Sequence, residues 1–478
     1  MLSGLGGEDG SGGVLGLVGT LENVAGRQQQ AASKGGCRLE SPPHKTEGKG
    51  AYGVRRIMTT LPDSLARANR EFSRRYPGDS GLCQPVHTVY GGAHLFKADL
   101  CRKMGAIAEG ALTEFAPDAA TLALATGIPD RLTDKVYARV IEKLCREPVE
   151  DFRIDFEDGY GNRPDAEEDA TAESAAQEVL KGIAAGTLPP FLGIRIKCLS
   201  EELKERSVRT LVRFLNVLGP NVPEHFVVTL PKITVPEQVS ALVDVLDQLG
   251  SGVKMEMMIE TPQSIFMLPA LVEAARGRCV AAHFGTYDYT ASLGITAAHQ
   301  HMLHPACDFA RSMMQASLAG TGLWLSDGAT NIMPVAPHRL ATLSPEQEME
   351  NRNVVHRAWK LHHDHIRHSL ENAFYQGWDL HPAQLPTRYA TVYSFFLEGL
   401  DAASERLRNF ISKAAQATLV GDVFDDAATG QGLLNYFLRA INCGAIPEAD
   451  APGLTGLSLE ELRSASFVKI LNGRRASS

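Results

Sequence analysis

Short runs of apolar residues alternate with longer amphipathic segments through most of the chain. The short runs are rich in β-branched and aromatic residues, as in F-V-V-T-L at 226–230, which is typical of buried strands. The segments between them repeat their apolar residues with helical spacing and often end at glycine or proline. The pattern predicts eight strands, at residues 86–90, 152–156, 191–196, 226–230, 254–259, 280–284, 323–325 and 378–380.

The helices predicted between these strands indicate the fold class. The clearest is the alanine- and glutamate-rich segment 165–185, and a long helix is predicted over 345–375. Strands that alternate with helices form a parallel sheet, and eight such units predict a closed (β/α)8 TIM barrel. An open doubly wound sheet is the alternative, but no G-x-G-x-x-G motif follows the first predicted strand.

Both ends of the chain lie outside the barrel pattern. Residues 1–57 are rich in Gly, Gln and Ser and predict a disordered extension. This segment lacks the features of a secretory signal, and it contains acidic residues that transit peptides avoid. Met58 is an alternative start of the protein. We expect the barrel to occupy residues 58–386 and a helical C-terminal extension to occupy residues 387–478.

The composition narrows the range of partners. The 478 residues carry a net charge of −9, so no basic surplus neutralises phosphates and nucleic-acid binding is not expected. None of the eight cysteines forms a C-x-x-C pair, which disfavours a zinc or thioredoxin-type site and is consistent with reduced thiols and a cytoplasmic location. No apolar run approaches the roughly 20 residues of a membrane helix, so no membrane partner is expected.

Two acidic residues follow neighbouring predicted strands. Glu260 and Asp288 lie 28 positions apart, each just past an apolar run, and one strand–helix unit of a barrel has about 25–35 residues. Carboxylates at the same ends of adjacent parallel strands point into one site, and hard oxygen ligands suit Mg²⁺ or Mn²⁺. The spacing therefore predicts a divalent-metal site. A structural ion pair or a helix cap is the alternative, because Thr261 and Pro262 resemble a helix start.

Other predicted strand ends carry further charged residues, which avoid protein interiors when they are unpaired. Asp155, Glu157 and Asp158 follow the second strand, and Arg195 ends the third. Arg195 binds substrate in one interpretation and pairs with Glu157 or Asp158 in the other, whereas Asp155 is expected to be structural. Lys232 follows the fourth strand, where a structural ion pair is favoured over a Schiff base.

Histidines are concentrated in one helical segment. Residues 361–368 read L-H-H-D-H-I-R-H, a density that resembles a metal site. The segment lies within the long predicted helix and has charged neighbours, so a solvated helix face is the favoured interpretation.

Seven short motifs at the predicted strand ends follow one another in a recognisable order. They are D-F-E-D at 155–158, G-I-R-I at 193–196, L-P-K-I at 230–233, I-E-T at 259–261, G-T-Y-D at 285–288 with S-L-G at 292–294, L-S-D-G at 325–328 and L-H-P-A-Q at 380–384. In these motifs the chain resembles the citrate lyase β-subunit-like and HpcH/HpaI-type aldolase superfamily of phosphoenolpyruvate/pyruvate-domain barrels, over residues 84–386. The usual V-P-G-D-like turn after the first strand is replaced by Y-G-G-A-H at 90–94.

The resemblance implies a Mg²⁺-dependent carbon–carbon lyase or aldolase. Its substrate would be a small-molecule 2-oxo acid or a 3-hydroxyacyl thioester, with coenzyme A as a possible thioester carrier, and cleavage would pass through a metal-stabilised enolate. Glu260 and Asp288 would hold the Mg²⁺ or Mn²⁺ ion. Arg195, Gly285 and Thr286 would bind substrate.

The same resemblance implies three catalytic residues and a homo-oligomer. Arg195 would add a fixed positive charge and bind a carboxylate. Glu157 or Asp158 would act as the base that takes the hydroxyl proton, and His283 is a third option for this base. Relatives often complete the site with residues of a neighbouring subunit, which is the reason to expect the homo-oligomer.

Three other functions use the same site. A hydroxyacyl-CoA thioesterase and an enzyme that handles phosphoenolpyruvate would both need the metal, and a sensor would bind a 2-oxo acid without converting it. Turnover separates the sensor from the enzymes. Dependence on a thioester separates the CoA-dependent reactions from the free-acid aldolase.

Overall fold

The predicted alternation of strands and helices forms a closed barrel. The structure, a computed structural model, describes residues 63–79, 81–412, 418–420, 423–425 and 427–477. The barrel strands are β1 (His87–Gly92), β2 (Asp151–Asp155), β3 (Phe191–Arg195), β4 (Phe226–Leu230), β5 (Lys254–Ile259), β6 (Cys279–Phe284), β7 (Trp324–Ala329) and β8 (Gln376–Asp379). Within the described residues these eight strands pair in chain order, all parallel, and β8 closes on β1. The prediction of a (β/α)8 barrel is confirmed.

Helices cover the outer face of the barrel and continue beyond β8. Apolar side chains of the strands and helices pack between the two layers as one core cluster. Among the described residues, no helix is long and apolar enough to cross a membrane. The helices are α1 (Asp63–Arg75), α2 (Leu100–Phe115), α3 (Ala119–Thr126), α4 (Thr133–Arg146), α5 (Asp165–Ala185), α6 (Lys204–Leu218), α7 (Pro236–Gln248), α8 (Pro262–Ala274), α9 (Thr286–Ser292), α10 (Pro305–Leu318), α11 (Pro345–Glu371), α12 (Leu385–Glu398), α13 (Leu400–Ser412), α14 (Ala427–Asn442), α15 (Ala451–Thr455), α16 (Leu459–Arg463) and α17 (Phe467–Ser477).

The described residues at the two ends of the chain can be compared with the predicted domain boundaries. Residues 1–57, predicted to be disordered, and the alternative start at Met58 lie outside the described residues. Ala66–Ser478 form one compact unit, and Met1–Leu65, the other unit, contribute only the first residues of α1 to the described part of the chain. A short antiparallel pair, β9 (Thr418–Val420) and β10 (Val423–Asp425), lies between α13 and α14. The boundary at residue 386 stays a prediction.

The barrel encloses charged side chains. Arg153 of β2 forms ion pairs with Asp151 of the same strand and, at 3.0 Å, with Glu256 of β5. Its Nε also donates to Thr229 Oγ1 at 3.1 Å, and the Tyr90 hydroxyl donates to Glu256 Oε1 at 3.2 Å. Burial opposes ionisation, but the neighbouring Arg153 holds the pKa of Glu256 below its usual range. The charged side chains around Arg153 therefore form a bonded network inside the barrel, as buried charges require.

The histidine-rich segment of α11 faces the protein interior. His362, His363 and His365 are 1%, 4% and 5% exposed. The Nδ1 atom of His363 lies 2.8 Å from Thr391 Oγ1 of α12, and that of His365 lies 2.9 Å from Thr330 Oγ1. The prediction of a solvated face is wrong because α12 and the end of β7 cover this side of α11, a packing that the local charge pattern does not contain.

These buried histidines make the stability of the fold depend on pH. Burial lowers the pKa of both His363 and His365 to about 4, below the value of about 6.5 in an unfolded chain. Because the unfolded state binds more protons between these values, the free energy of unfolding falls as pH decreases through this window. We expect a loss of about 2 kcal/mol for each histidine between pH 7 and pH 5, measured by urea unfolding.

Substitution of single histidines checks the source of this pH dependence. His363→Asn keeps a polar group beside Thr391 but cannot take up a proton, so the variant should lose stability less steeply with acid. His299 is exposed, and His299→Asn should leave the wild-type pH dependence unchanged. The same acid sensitivity in His363→Asn and in the wild type would contradict the assignment.

Candidate active site

Charged side chains from five consecutive strands meet at the C-terminal end of the barrel. Lys232 connects most of them: its ammonium pairs with Glu157, with Asp158 at 2.8 Å and with Asp288 at 3.7 Å. Its backbone N–H donates to Glu260 Oε1 at 2.7 Å. The strand ends that the sequence marked as separate segments thus form one acidic cluster, as expected for the mouth of a barrel of this type.

Arg195 and Asp155 form a buried, two-pronged ion pair at this mouth. Arg195 Nε donates to Asp155 Oδ1 at 2.7 Å, and Nη2 donates to Oδ2 at 2.5 Å. Asp155 also accepts the backbone N–H groups of Glu157 and Gly159. The structural role predicted for Asp155 agrees with this geometry. In the alternative to substrate binding, Arg195 pairs with Glu157 or Asp158, and both carboxylates do lie within ion-pair distance of Nη1, at 3.4 and 3.6 Å. The closer partner is Asp155, and substrate binding by Arg195 stays a prediction.

The pKa values of the neighbours Glu157 and Asp158 are shifted in opposite directions. Burial, together with a hydrogen bond to Asp158, raises the pKa of Glu157 to about 7. Burial also disfavours the charge on Asp158, but hydrogen bonds with Glu157 and Lys232 hold its pKa below the usual range. A carboxyl group that titrates near neutral pH can accept or release a proton during a reaction. Glu157 is therefore the better placed of the two to act as a base.

Glu260 and Asp288 provide two carboxylates for a metal ion. Glu260 is 1% exposed, and burial together with the Asp288 charge raises its pKa to about 8. Asp288 lies in the first turn of α9 with its side chain 43% exposed. The described residues contain no group of three or more His, Cys, Asp or Glu side chains that could hold a metal ion. Two carboxylates completed by water and substrate oxygens fit the way in which Mg²⁺ usually binds, so the donor set fits the predicted ion.

Gly285 and Thr286, which precede Asp288, are closely packed. A Cβ atom at Gly285 would lie 2.5 Å from both Cβ and Oε2 of Glu260, so only glycine leaves room for the Glu260 side chain. The Thr286 hydroxyl donates to Met302 Sδ at 3.1 Å and the residue is buried. Substrate binding by Gly285 and Thr286 stays a prediction.

We expect Gly285→Ala to weaken metal binding by about tenfold or more, because the added methyl group displaces a carboxylate that must be held within about 0.5 Å. Calorimetric titration with MnCl₂ measures the effect. Gly110 lies within α2 with open space around it, and Gly110→Ala is the matched control. An unchanged affinity for Mn²⁺ in Gly285→Ala would contradict the close packing of Gly285 against Glu260.

Aromatic and imidazole rings form the floor of the site. The Arg195 guanidinium lies 4.8 Å from the ring centre of Tyr90 and 5.6 Å from that of Trp378. His283 contacts the same two rings edge-on, and burial lowers its pKa to about 4. Neither His283 ring nitrogen has a hydrogen-bond partner among the described residues. Neither Tyr90 nor Trp378 was predicted to lie in the site, although strand alternation puts both on the inner face of the barrel.

A family of proteins matches the chain over most of its length. The family is described as a domain of unknown function, DUF6986, and it matches residues 65–470. The chain belongs to this family. A comparison of this DUF6986 chain with curated proteins gives no match.

Solved structures resemble the DUF6986 chain at low sequence identity. A citrate lyase from Burkholderia xenovorans LB400 is 18% identical, with 78% of this chain and 97% of that chain covered and a TM-score of 0.51. The protein CitE from Mycobacterium tuberculosis, in complex with magnesium, acetoacetate and coenzyme A, is 14% identical, with 75% and 99% covered and a TM-score of 0.47. The first of these similarities shows a shared fold. It confirms, at the level of the fold, the resemblance to citrate lyase β-subunit-like proteins drawn from the motifs.

Proposed function

We propose that this chain is a Mg²⁺-dependent carbon–carbon lyase that acts on a 2-oxo acid or a 3-hydroxyacyl thioester. The observation that carries the proposal is the pair of carboxylates Glu260, buried just after β5, and Asp288, half-exposed in the first turn of α9 after β6. Lys232 contacts both of them, at 2.7 and 3.7 Å. The fold shared with a citrate lyase supports the reaction class, and the acidic cluster supports the metal.

Glu260 and Asp288 would hold the ion, with waters and substrate oxygens as further ligands. When bound, Mg²⁺ supplies a Lewis acid that stabilises negative charge on an oxygen next to the bond that breaks. Mn²⁺ suits the same oxygen ligands and serves as a probe of the site.

Glu157 is the proposed base for the substrate hydroxyl. Its pKa of about 7 leaves part of the population ionised at neutral pH and able to take a proton. As the hydroxyl proton moves to the Glu157 carboxylate, a carbonyl group forms and the carbon–carbon bond breaks. The electron pair of that bond passes to the other fragment as an enolate. Asp158 is the weaker base because its pKa is lowered, and His283 is fully buried beneath the site.

Arg195 is proposed to orient the substrate. Its Nε and Nη2 atoms are bonded to Asp155, so its third nitrogen, Nη1, is the one that faces the acidic mouth. The Asp155 carboxylate and the Tyr90 and Trp378 rings fix the plane of the guanidinium. A preorganised positive charge of this kind stabilises a developing negative charge without reorganisation.

A coupled assay for pyruvate tests the proposal. The chain is incubated with a panel of 4-hydroxy-2-oxo acids, with MgCl₂, with MnCl₂ or with a chelator, and pyruvate release is followed. Hydroxyacyl-CoA thioesters are tested in parallel for release of acetyl-CoA or free CoA. Metal-dependent release of pyruvate or acetyl-CoA is the expected result. Turnover that is the same in the chelator would contradict the metal-dependent lyase.

The same assay separates the alternatives. Free CoA without acetyl-CoA would favour a thioesterase. Binding of a 2-oxo acid without turnover would favour a sensor, and turnover of phosphoenolpyruvate alone would favour an enzyme for that substrate. The predicted homo-oligomer is tested separately by light scattering of the full chain.

A further inference from the structure

Lys232 contacts four carboxylates of the acidic cluster, and the two proposed metal ligands, Glu260 and Asp288, are among them. Its ammonium lies 2.8 Å from Asp158 Oδ1, 3.7 Å from Asp288 Oδ1 and in contact with Glu157, and its backbone N–H donates to Glu260. Lys232 has a φ of +50°, a left-handed conformation that is uncommon for residues other than glycine. Backbone conformations of this kind persist where the surrounding structure fixes them, often at functional sites.

The acidic cluster at the C-terminal end of the barrel holds more carboxylates than Arg195 alone can pair. Arg195 is bonded twice to Asp155 and reaches Glu157 and Asp158 only at 3.4 and 3.6 Å. Among the described residues, Lys232 provides the ion pair recorded for Asp288. The Lys232 ammonium therefore lies next to Asp288, a proposed metal ligand. Its positive charge repels a divalent cation bound at the same carboxylate.

We propose that Lys232 is an internal counter-cation that competes with the divalent ion for Asp288 and so sets the metal affinity of the site. The inference rests on the proposed function and deepens it. Because Lys232 neutralises part of the negative charge of the site, the site binds a divalent cation weakly. An anionic substrate adds negative charge and so strengthens the binding of the cation. Lys232 acts through Asp288 and is a positioning residue rather than a catalytic one.

The test is a calorimetric titration of the full chain with MnCl₂ in the absence of substrate. Lys232→Met removes the charge and keeps an unbranched side chain of similar length. It should lower the dissociation constant for Mn²⁺ on the order of tenfold, the effect of one elementary charge a few ångströms from a divalent ion in water. Lys232→Arg keeps the charge and should bind Mn²⁺ as the wild type does. Lys204, the first residue of α6, pairs with Glu201 in the preceding turn, and its side chain is 45% exposed. Lys204→Met is the matched control, with unchanged affinity expected.

The outcomes separate this inference from the proposed function. Equal or weaker Mn²⁺ binding by Lys232→Met, beside clear binding by the wild type, overturns the role of Lys232 and leaves the metal site standing. No binding by the wild type or by Lys232→Met overturns both. Thermal unfolding of the metal-free variants checks that they fold. Should Lys232→Met fail this check, Lys232→Asn carries the same test, because asparagine tolerates the left-handed backbone better than other residues.

Discussion

Replacing Arg153 by methionine is expected to destabilise the protein by roughly 3–5 kcal/mol, the usual cost of removing one partner from a buried ion pair. Arg153 is 3% exposed and is the cation between Asp151 and Glu256, which are each 1% exposed. Without the guanidinium, the two carboxylates remain inside the barrel with no compensating charge. Urea unfolding followed by circular dichroism measures the change.

Two further variants test whether the unpaired buried carboxylates cause the loss of stability. Adding Glu256→Gln to Arg153→Met removes one of the unpaired carboxylates and should recover part of the lost stability. Arg74 pairs with Glu71 on α1, where the two side chains are 77% and 60% exposed. Arg74→Met should therefore leave the urea midpoint nearly unchanged, because exposed ion pairs contribute little to stability. An Arg153→Met protein that unfolds at the wild-type urea concentration would show that the network does not stabilise the barrel.

The order of strands and helices could be predicted from the sequence, because the local pattern of apolar residues determines each element. The predicted strand 226–230 is β4 residue for residue, and the predicted helix 165–185 is α5. The last two strands were placed less well: β7 runs through Ala329 and β8 begins at Gln376. Both contain glycine and polar residues, which weaken the apolar signal of a strand.

Partner choice inside the barrel could not be predicted in the same way. Alternation places Arg153 and Asp155 on one face of β2, but it does not say that Glu256 of β5 pairs with the first and Arg195 of β3 with the second. The closest partner of Arg195 is Asp155, whereas the ion pair considered from the sequence was with Glu157 or Asp158, which lie at 3.4 and 3.6 Å. Such choices depend on the closure of the barrel, which brings together residues far apart in the chain.

The positions of Glu260 and Asp288 could be predicted from less information, although their role as metal ligands stays a prediction. Strand-end position and spacing were enough to place Glu260 and Asp288 in one cluster, because parallel strands deliver their C-terminal ends to the same side of the barrel. The contacts of Lys232 with both carboxylates could not be predicted from the sequence. They require a left-handed backbone at Lys232 and the approach of two strand ends.

Glu260→Gln is expected to lower metal-dependent turnover on the order of 10³-fold, the scale of losing a preorganised electrostatic contact to the reacting centre. Glutamine has nearly the same shape and still offers an oxygen to the Lys232 N–H, so the change isolates the negative charge. Because an isolated buried charge is costly, the metal-free variant should be at least as stable as the wild type. Steady-state rates with MgCl₂ and titration with MnCl₂ give the two readouts.

Comparison with Asp288→Asn and with the double variant decides whether the two carboxylates serve one ion. Two ligands of a single ion fail together, so the double variant should lose little more activity than either single variant, as groups that act as a unit do. Independent roles would instead multiply the two losses. Glu71→Gln, on the exposed pair with Arg74, is the control for a neutralised glutamate away from the site. Wild-type Mn²⁺ affinity in Glu260→Gln would place the ion elsewhere, and with it the chemistry proposed for this end of the barrel.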